Sequence, residues 1–194
     1  LGIATVATAQ PAAVKKAANT TFTLTTFDAK GSILSTSNGV FVSNNGICVS
    51  TWKPFVGAMK AEVTDNNGQK YSVETILGAN ELYDVAKFKI TAKTNAALFA
   101  PSVVANSAAW IVMPSQAGAP IKANIDKVEK FMTKYNYCVL STTASEKYNG
   151  APVLNDKGQI VGIYNSNGTL QSATDAKYAN DFVLTGLSQN DPTL

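Results

Sequence analysis

The chain has 194 residues, 45% hydrophobic and 15% charged, a composition that fills one core or two small ones. All sixteen basic side chains are lysines and the net charge is only +3, so nucleic acid is not an expected partner. Histidine is absent, which removes the usual general base and the commonest metal ligand, and no cofactor or metal is expected.

Residues 1–9 are small and apolar, and Ala7-Thr8-Ala9 before Gln10 has the shape of a signal-peptidase site. They read as the remnant of a secretory signal, and the protein as exported to a periplasm, cell envelope or extracellular space. Residues 10–19 form an N-terminal arm or short helix. Strand and turn signals follow. Phe22 and Leu24 alternate with threonines, Val40–Val42 and Ile47–Val49 flank Ser43-Asn44-Asn45-Gly46, and Tyr71–Val73 follow Asn67-Gly68. Asn38, Asn45, Asn67, Asn149 and Asn167 each precede a glycine, a pair that favours tight hairpin turns. The Ala-, Ser- and Pro-rich segment 91–120 reads as a connection between two β units. Ile125, Val128, Phe131 and Met132 suggest a helix over 122–134, and Tyr178, Phe182 and Val183 another over 174–187, with Thr174 as N-cap. No apolar run approaches the length of a membrane span. Cys48 and Cys138 lie in apolar strand-like runs, as two buried thiols or a single disulfide.

Three passages share an order with a known family. Ser37-Asn38-Gly39-Val40-Phe41, continuing through Gly46-Ile47-Cys48-Val49-Ser50-Thr51-Trp52-Lys53, resembles the S-G-F-hairpin-T-N-x-H passage of trypsin-like serine proteases. The nearest branch is the bacterial HtrA/Deg one. Ile76 through Ile90, with Gly78 and Asp84-Val85-Ala86, is similar to that family's aspartate passage. Asn149-Gly150-Ala151-Pro152-Val153-Leu154-Asn155 with Gly158–Ile163 resembles S-G-G-P-L-V-N…G-x-V-V-G-I. The resemblance covers residues 20–190. It implies an all-β, trypsin-like pair of six-stranded antiparallel barrels, about 20–95 and 105–172, with a C-terminal helix at about 174–187. It leaves room for a further C-terminal domain beyond Leu194.

Carried over position by position, the resemblance puts Lys53 where the family has its histidine, retains Asp84, and puts Asn149 at the serine. An amide is neither a useful nucleophile nor a base. A lysine beside a carboxylate stays protonated, so a Lys53–Asp84 ion pair or close approach, within about 6 Å, is expected. Lys147 replaces the glycine whose N–H helps the serine's N–H bind an oxyanion, so that loop should be remodelled. Trp52, Tyr83, Lys147, Tyr148 and Gly150 adjoin the triad positions and are candidates to line the cleft. The expected function is a catalytically inactive protease homologue that binds or scaffolds a peptide or protein. The alternatives are a hydrolase pairing Ser141, Thr142, Thr143 or Ser145 with Lys147 or Lys53, and a structural envelope domain.

Overall fold

The computed structural model describes residues 9–131 and 134–180, without the side chain of Phe131. Residues 1–8 of the expected signal remnant and residues 181–187 of the expected C-terminal helix lie outside the described residues. A short helix α1 (Ala12–Lys16) and a 3-10 turn (Ala17–Thr20) lead into the first sheet. Its strands are β1 (Thr21–Phe27), β2 (Ile33–Phe41), β3 (Ile47–Ser50), β4 (Lys60–Asp65), β5 (Lys70–Ser72), β6 (Thr75–Asn80) and β7 (Val85–Lys89). They pair in the order β5-β4-β1-β2-β3-β7-β6, so the first unit has seven strands rather than six and its ends are not joined by a ladder. The second unit is a closed six-stranded barrel. It comprises β8 (Ser107–Ile111), β9 (Ile121–Phe131), β10 (Tyr135–Thr142), β11 (Pro152–Leu154), β12 (Ile160–Ser166) and β13 (Gln171–Thr174). The fold is the all-β, trypsin-like double barrel. Among the described residues no helix is long and apolar enough to cross a membrane.

Each barrel buries its own apolar cluster. Phe22, Phe41, Phe55, Phe88 and Trp52 fill the first, with Trp52 stacked on Phe55 at 5.8 Å between centroids. Ile111, Ile125, Leu140, Val153 and Tyr164 fill the second. A third cluster joins the barrels, Val40, Val49 and Val85 meeting Trp110, Val112, Leu154 and Ile163. Cys48 and Cys138 are free thiols in separate cores, which excludes the disulfide alternative. Burial raises both thiol pKa values, that of Cys138 to about 11 with help from the charge of Asp175.

The expected helix over 122–134 is strand β9. Its buried residues Ala123 and Ile125 alternate, as a strand facing a core requires. In the β9–β10 pairing Val139 meets Lys127 and Leu140 meets Ile125, leaving Asp126 as a bulge. That extra residue shifts the phase, so the next inward side chain is Val128, three positions on, which mimics helical spacing. Within the segment expected to be a plain connection, 107–111 forms β8. Thr174 ends β13 instead of capping a helix, and Ala176–Asn180 is a 3-10 turn. Asn45-Gly46, Asn67-Gly68 and Asn167-Gly168 do occupy turns between strands. Asn38-Gly39 does not: it lies inside β2, where a side chain on Gly39 would stand 2.2 Å from the Phe22 ring.

Candidate functional site

Asp84 occupies the turn between β6 and β7 with φ +54, a left-handed conformation uncommon outside glycine. The Asn80 side chain closes that turn by accepting the Tyr83 N–H at 3.0 Å. The Asp84 carboxylate is 9% exposed and points across to the start of the next short turn. Its Oδ1 accepts the N–H groups of Trp52 at 2.9 Å and Lys53 at 2.7 Å, and its Oδ2 accepts Asn165 Nδ2 at 3.0 Å. Three charge-assisted hydrogen bonds satisfy the buried charge without a cation.

Among the described residues no ion pair joins Lys53 to Asp84. Asp84 binds Lys53 through its main chain, while the Lys53 side chain is exposed and takes part in no ion pair among the described residues. Among the described residues the ion pairs are Lys60–Glu62 and Lys70–Glu62. The cause is geometric: Lys53 opens a 3-10 turn, Lys53–Phe55, whose leading N–H groups need an acceptor. The carboxylate supplies it, and the ammonium remains in water.

Asn149 ends another 3-10 turn, Glu146–Tyr148. Its amide is used as a piece of strand edge. Oδ1 accepts the Ser166 N–H at 2.7 Å, and Nδ2 donates to the Ser166 carbonyl at 3.1 Å. Its own carbonyl accepts the Asn38 N–H at 3.1 Å and Ser37 Oγ at 3.0 Å, which ties the loop to the first barrel. Asn38 Nδ2 adds a bond to the Lys147 carbonyl at 2.8 Å. Ser37 Oγ also lies 2.9 Å from Thr51 Oγ1, two residues before Lys53. The three triad positions are thus joined by hydrogen bonds of the surrounding framework.

The main-chain N–H groups of this loop are bonded within it. The Asn149 N–H donates to the Glu146 carbonyl at 3.0 Å, and the Lys147 N–H to Ser145 Oγ at 3.3 Å. Both groups that would face an oxyanion are engaged within the turn. Of the substitute nucleophiles, Ser141 Oγ donates to Asp126, Thr142 Oγ1 to the Lys122 carbonyl at 3.1 Å, and Ser145 caps the turn. Neither Lys53 nor Lys147 pairs with any of these hydroxyls through Nζ.

The neighbouring candidates divide. Lys147 and Asn149 line a cleft of about 430 Å³ between the barrels, with Thr36, Ser37, Asn38, Met113 and Glu146. Trp52 does not line it: the ring is 1% exposed in the first core, stacked on Phe55, and its Nε1 has no hydrogen-bond partner among the described residues. Gly150 is buried against the Asn38 carbonyl. Tyr148 is half-buried against the second core. Tyr83 stacks on Tyr178 at 4.0 Å and 20°, and the Tyr178 hydroxyl donates to the Tyr135 carbonyl at 2.8 Å. Burial, and then Tyr83, push the Tyr178 hydroxyl up to about 12. These aromatics join the barrels instead of presenting open rings.

Asn165, Ser166, Ser37 and Asn38 hold the site together, and sequence reasoning did not single them out for it. The available signal was a polar Ser-Asn pair inside the otherwise apolar end of β2, where both are buried. Among the described residues no group of acidic or cysteine side chains is placed to hold a metal.

No family model matches the sequence, and no curated protein matches it. Solved structures do match. The HtrA-type protease AlgW with a tripeptide superposes with a TM-score of 0.73 at 18% identity, over 87% of this chain and 60% of that one. A serine-to-alanine variant of AlgW, also with a tripeptide, gives 0.72 at 18% identity over the same shares. The chain spans about three-fifths of the length of these structures. At such identity the likeness is one of fold, that of an HtrA-type protease.

Proposed function

We propose that this chain is an exported, catalytically silent protease homologue whose inter-barrel cleft binds an extended peptide or protein segment. One observation carries the reading. The nucleophile position holds an amide bound on both heavy atoms to the Ser166 main chain, in a loop whose two oxyanion-facing N–H groups are already bonded. Acyl transfer needs a nucleophile, a base and free donors at the developing oxyanion. Lys53 supports the same reading, since its side chain is exposed and the Asp84 carboxylate bonds its main-chain N–H, leaving no histidine-like base held by an aspartate. The cleft offers hydroxyl and amide groups from β2 on one side and Glu146 and Lys147 on the other, suited to a polar main chain. The tripeptide in the HtrA-type neighbours belongs to the same class of ligand. Export rests on Ala7-Thr8-Ala9 and predicts a mature terminus at or near Gln10 by mass spectrometry of the natural protein.

The purified protein should be silent to a fluorophosphonate probe and to casein. The Lys53→His/Asn149→Ser double variant should stay silent, because its N–H groups remain bonded within the turn. Turnover abolished by a single Ser or Lys substitution would overturn the reading. Binding is tested on an array of extended peptides. Captured peptides should lose affinity when Ser37 or Lys147 is replaced, and an array with no captured sequence would favour a purely structural role.

A further inference from the structure

Ten large apolar side chains are exposed among the described residues, and four of them gather at one end of the first barrel. Ile33 is 66% exposed, Leu34 43%, Val56 45% and Met59 50%. They belong to two adjacent loop tips. Ile33 pairs with Phe27 across β1 and β2, and the Phe27 carbonyl accepts the Met59 N–H at 2.8 Å. A side chain on Gly57 would stand 3.9 Å from Leu34 Cδ2, which brings the second tip against the first. The fold does not need these side chains outside. Phe55 and Ala58, interleaved with them, are 0% and 4% exposed and already supply the inward contacts.

Lysines surround the tips. Lys30 and Lys53 are exposed and take part in no ion pair among the described residues. Lys60 lies 5.6 Å over the Phe27 ring and 3.5 Å from Glu62, a carboxylate that Lys70 shares at 4.0 Å. The Asp28 carboxylate is turned inward on its own turn, accepting the N–H groups of Lys30 and Ser32 at 2.9 and 3.0 Å. Aliphatic tips inside a cationic collar match the two requirements of a bilayer surface, apolar insertion and attraction to anionic headgroups. A second copy fits less well, because a two-fold contact through this patch would set one lysine collar against the other.

We propose that the tips at 28–34 and 53–60 dock this protein on bilayers carrying anionic lipid. The test is sedimentation of the full chain with vesicles of phosphatidylcholine alone or mixed with phosphatidylglycerol, at low and high salt. Binding is expected only to the mixed vesicles, and it should weaken as salt rises. The Ile33→Ser/Val56→Ser variant should lose roughly tenfold or more in partitioning, with far-UV circular dichroism unchanged. Lys30→Gln and Lys60→Gln should each lose about fivefold at low salt. Equal binding to neutral vesicles, no binding to mixed ones, or binding that survives the Ser double variant would overturn the proposal. So would light scattering that finds a dimer which the double variant converts to monomer.

Discussion

Gly150, in the loop carrying Asn149, packs against the first barrel. Its φ is +86, and a side chain there would stand 2.0 Å from the Asn38 carbonyl oxygen and 2.7 Å from Ser37 Oγ. Gly150→Ala meets two costs. The left-handed backbone costs an L-residue about 1–2 kcal/mol. Displacing a main-chain oxygen, which no rotamer change can move, adds about 1–3 kcal/mol. The Asn38 carbonyl is also held by Ser50 Oγ at 2.5 Å, and the Asn38 N–H by the Asn149 carbonyl at 3.1 Å, so the strand resists retreat. The expected loss is about 2–5 kcal/mol, or roughly 2–4 °C in Tm per kcal/mol. Gly31→Ala is the control: φ is +79, yet nothing lies within 4 Å of the new side chain, so only the backbone cost applies. Urea unfolding of both variants separates the two contributions. Equal losses would refute a close and rigid contact between the barrels at this loop.

Asp84→Ala should cost about 3 kcal/mol or more in chemical denaturation, because it strands the N–H groups of Trp52 and Lys53 and the Asn165 amide. Lys53→Gln should change stability by less than about 0.5 kcal/mol, since its side chain is exposed and makes no ion pair among the described residues; a large loss would restore the ion pair. Native Cys48 and Cys138 should resist Ellman's reagent and react fully after unfolding in guanidinium, whereas rapid labelling of the native protein would contradict their burial. The same thiols and Tyr178 make stability fall in alkali. Their pKa values are raised in the fold, so the unfolded chain ionises first and is favoured as pH climbs from about 9 toward 12.

The parts of this fold readable from sequence were those written in local chemistry. Asn45-Gly46 and Asn67-Gly68 supply turn conformations that few other pairs adopt, and the alternation of β1 faces one core. The triad positions were readable because their flanking strands keep a recognisable pattern. What those side chains bond to was not. Asp84 was expected to seek the nearest opposite charge, but three N–H donors reach it through the chain's path, which no residue count reveals. Asn149 looked like a vacancy in a serine's place. Its partner, the Ser166 main chain, stands on β12 and is brought there only by barrel closure. In β9 a single bulge at Asp126 turned a strand pattern into a helical one, and bulges carry no sequence mark of their own.

Cooperativity between the barrels follows from the cluster that joins them. Val40, Val49 and Val85 on one side and Val112, Leu154 and Ile163 on the other are at most 2% exposed. Full burial of such a side chain contributes about 1.5–3 kcal/mol, so parting the barrels forfeits on the order of 10 kcal/mol, an upper estimate. That is comparable with the whole net stability of an ordinary domain, about 5–15 kcal/mol. Neither barrel should persist once the other has opened. The two tryptophans make this measurable, because Trp52 sits in the first core and Trp110 on β8 in the shared cluster. Trp110→Phe leaves Trp52 as the fluorescent reporter, and Trp52→Phe leaves Trp110. In each variant the urea transition seen by fluorescence should coincide with that seen by far-UV circular dichroism. If Trp52 fluorescence changed at a urea concentration where half the ellipticity remained, the first barrel would be opening alone. The joining cluster would then be contributing far less than its buried area implies.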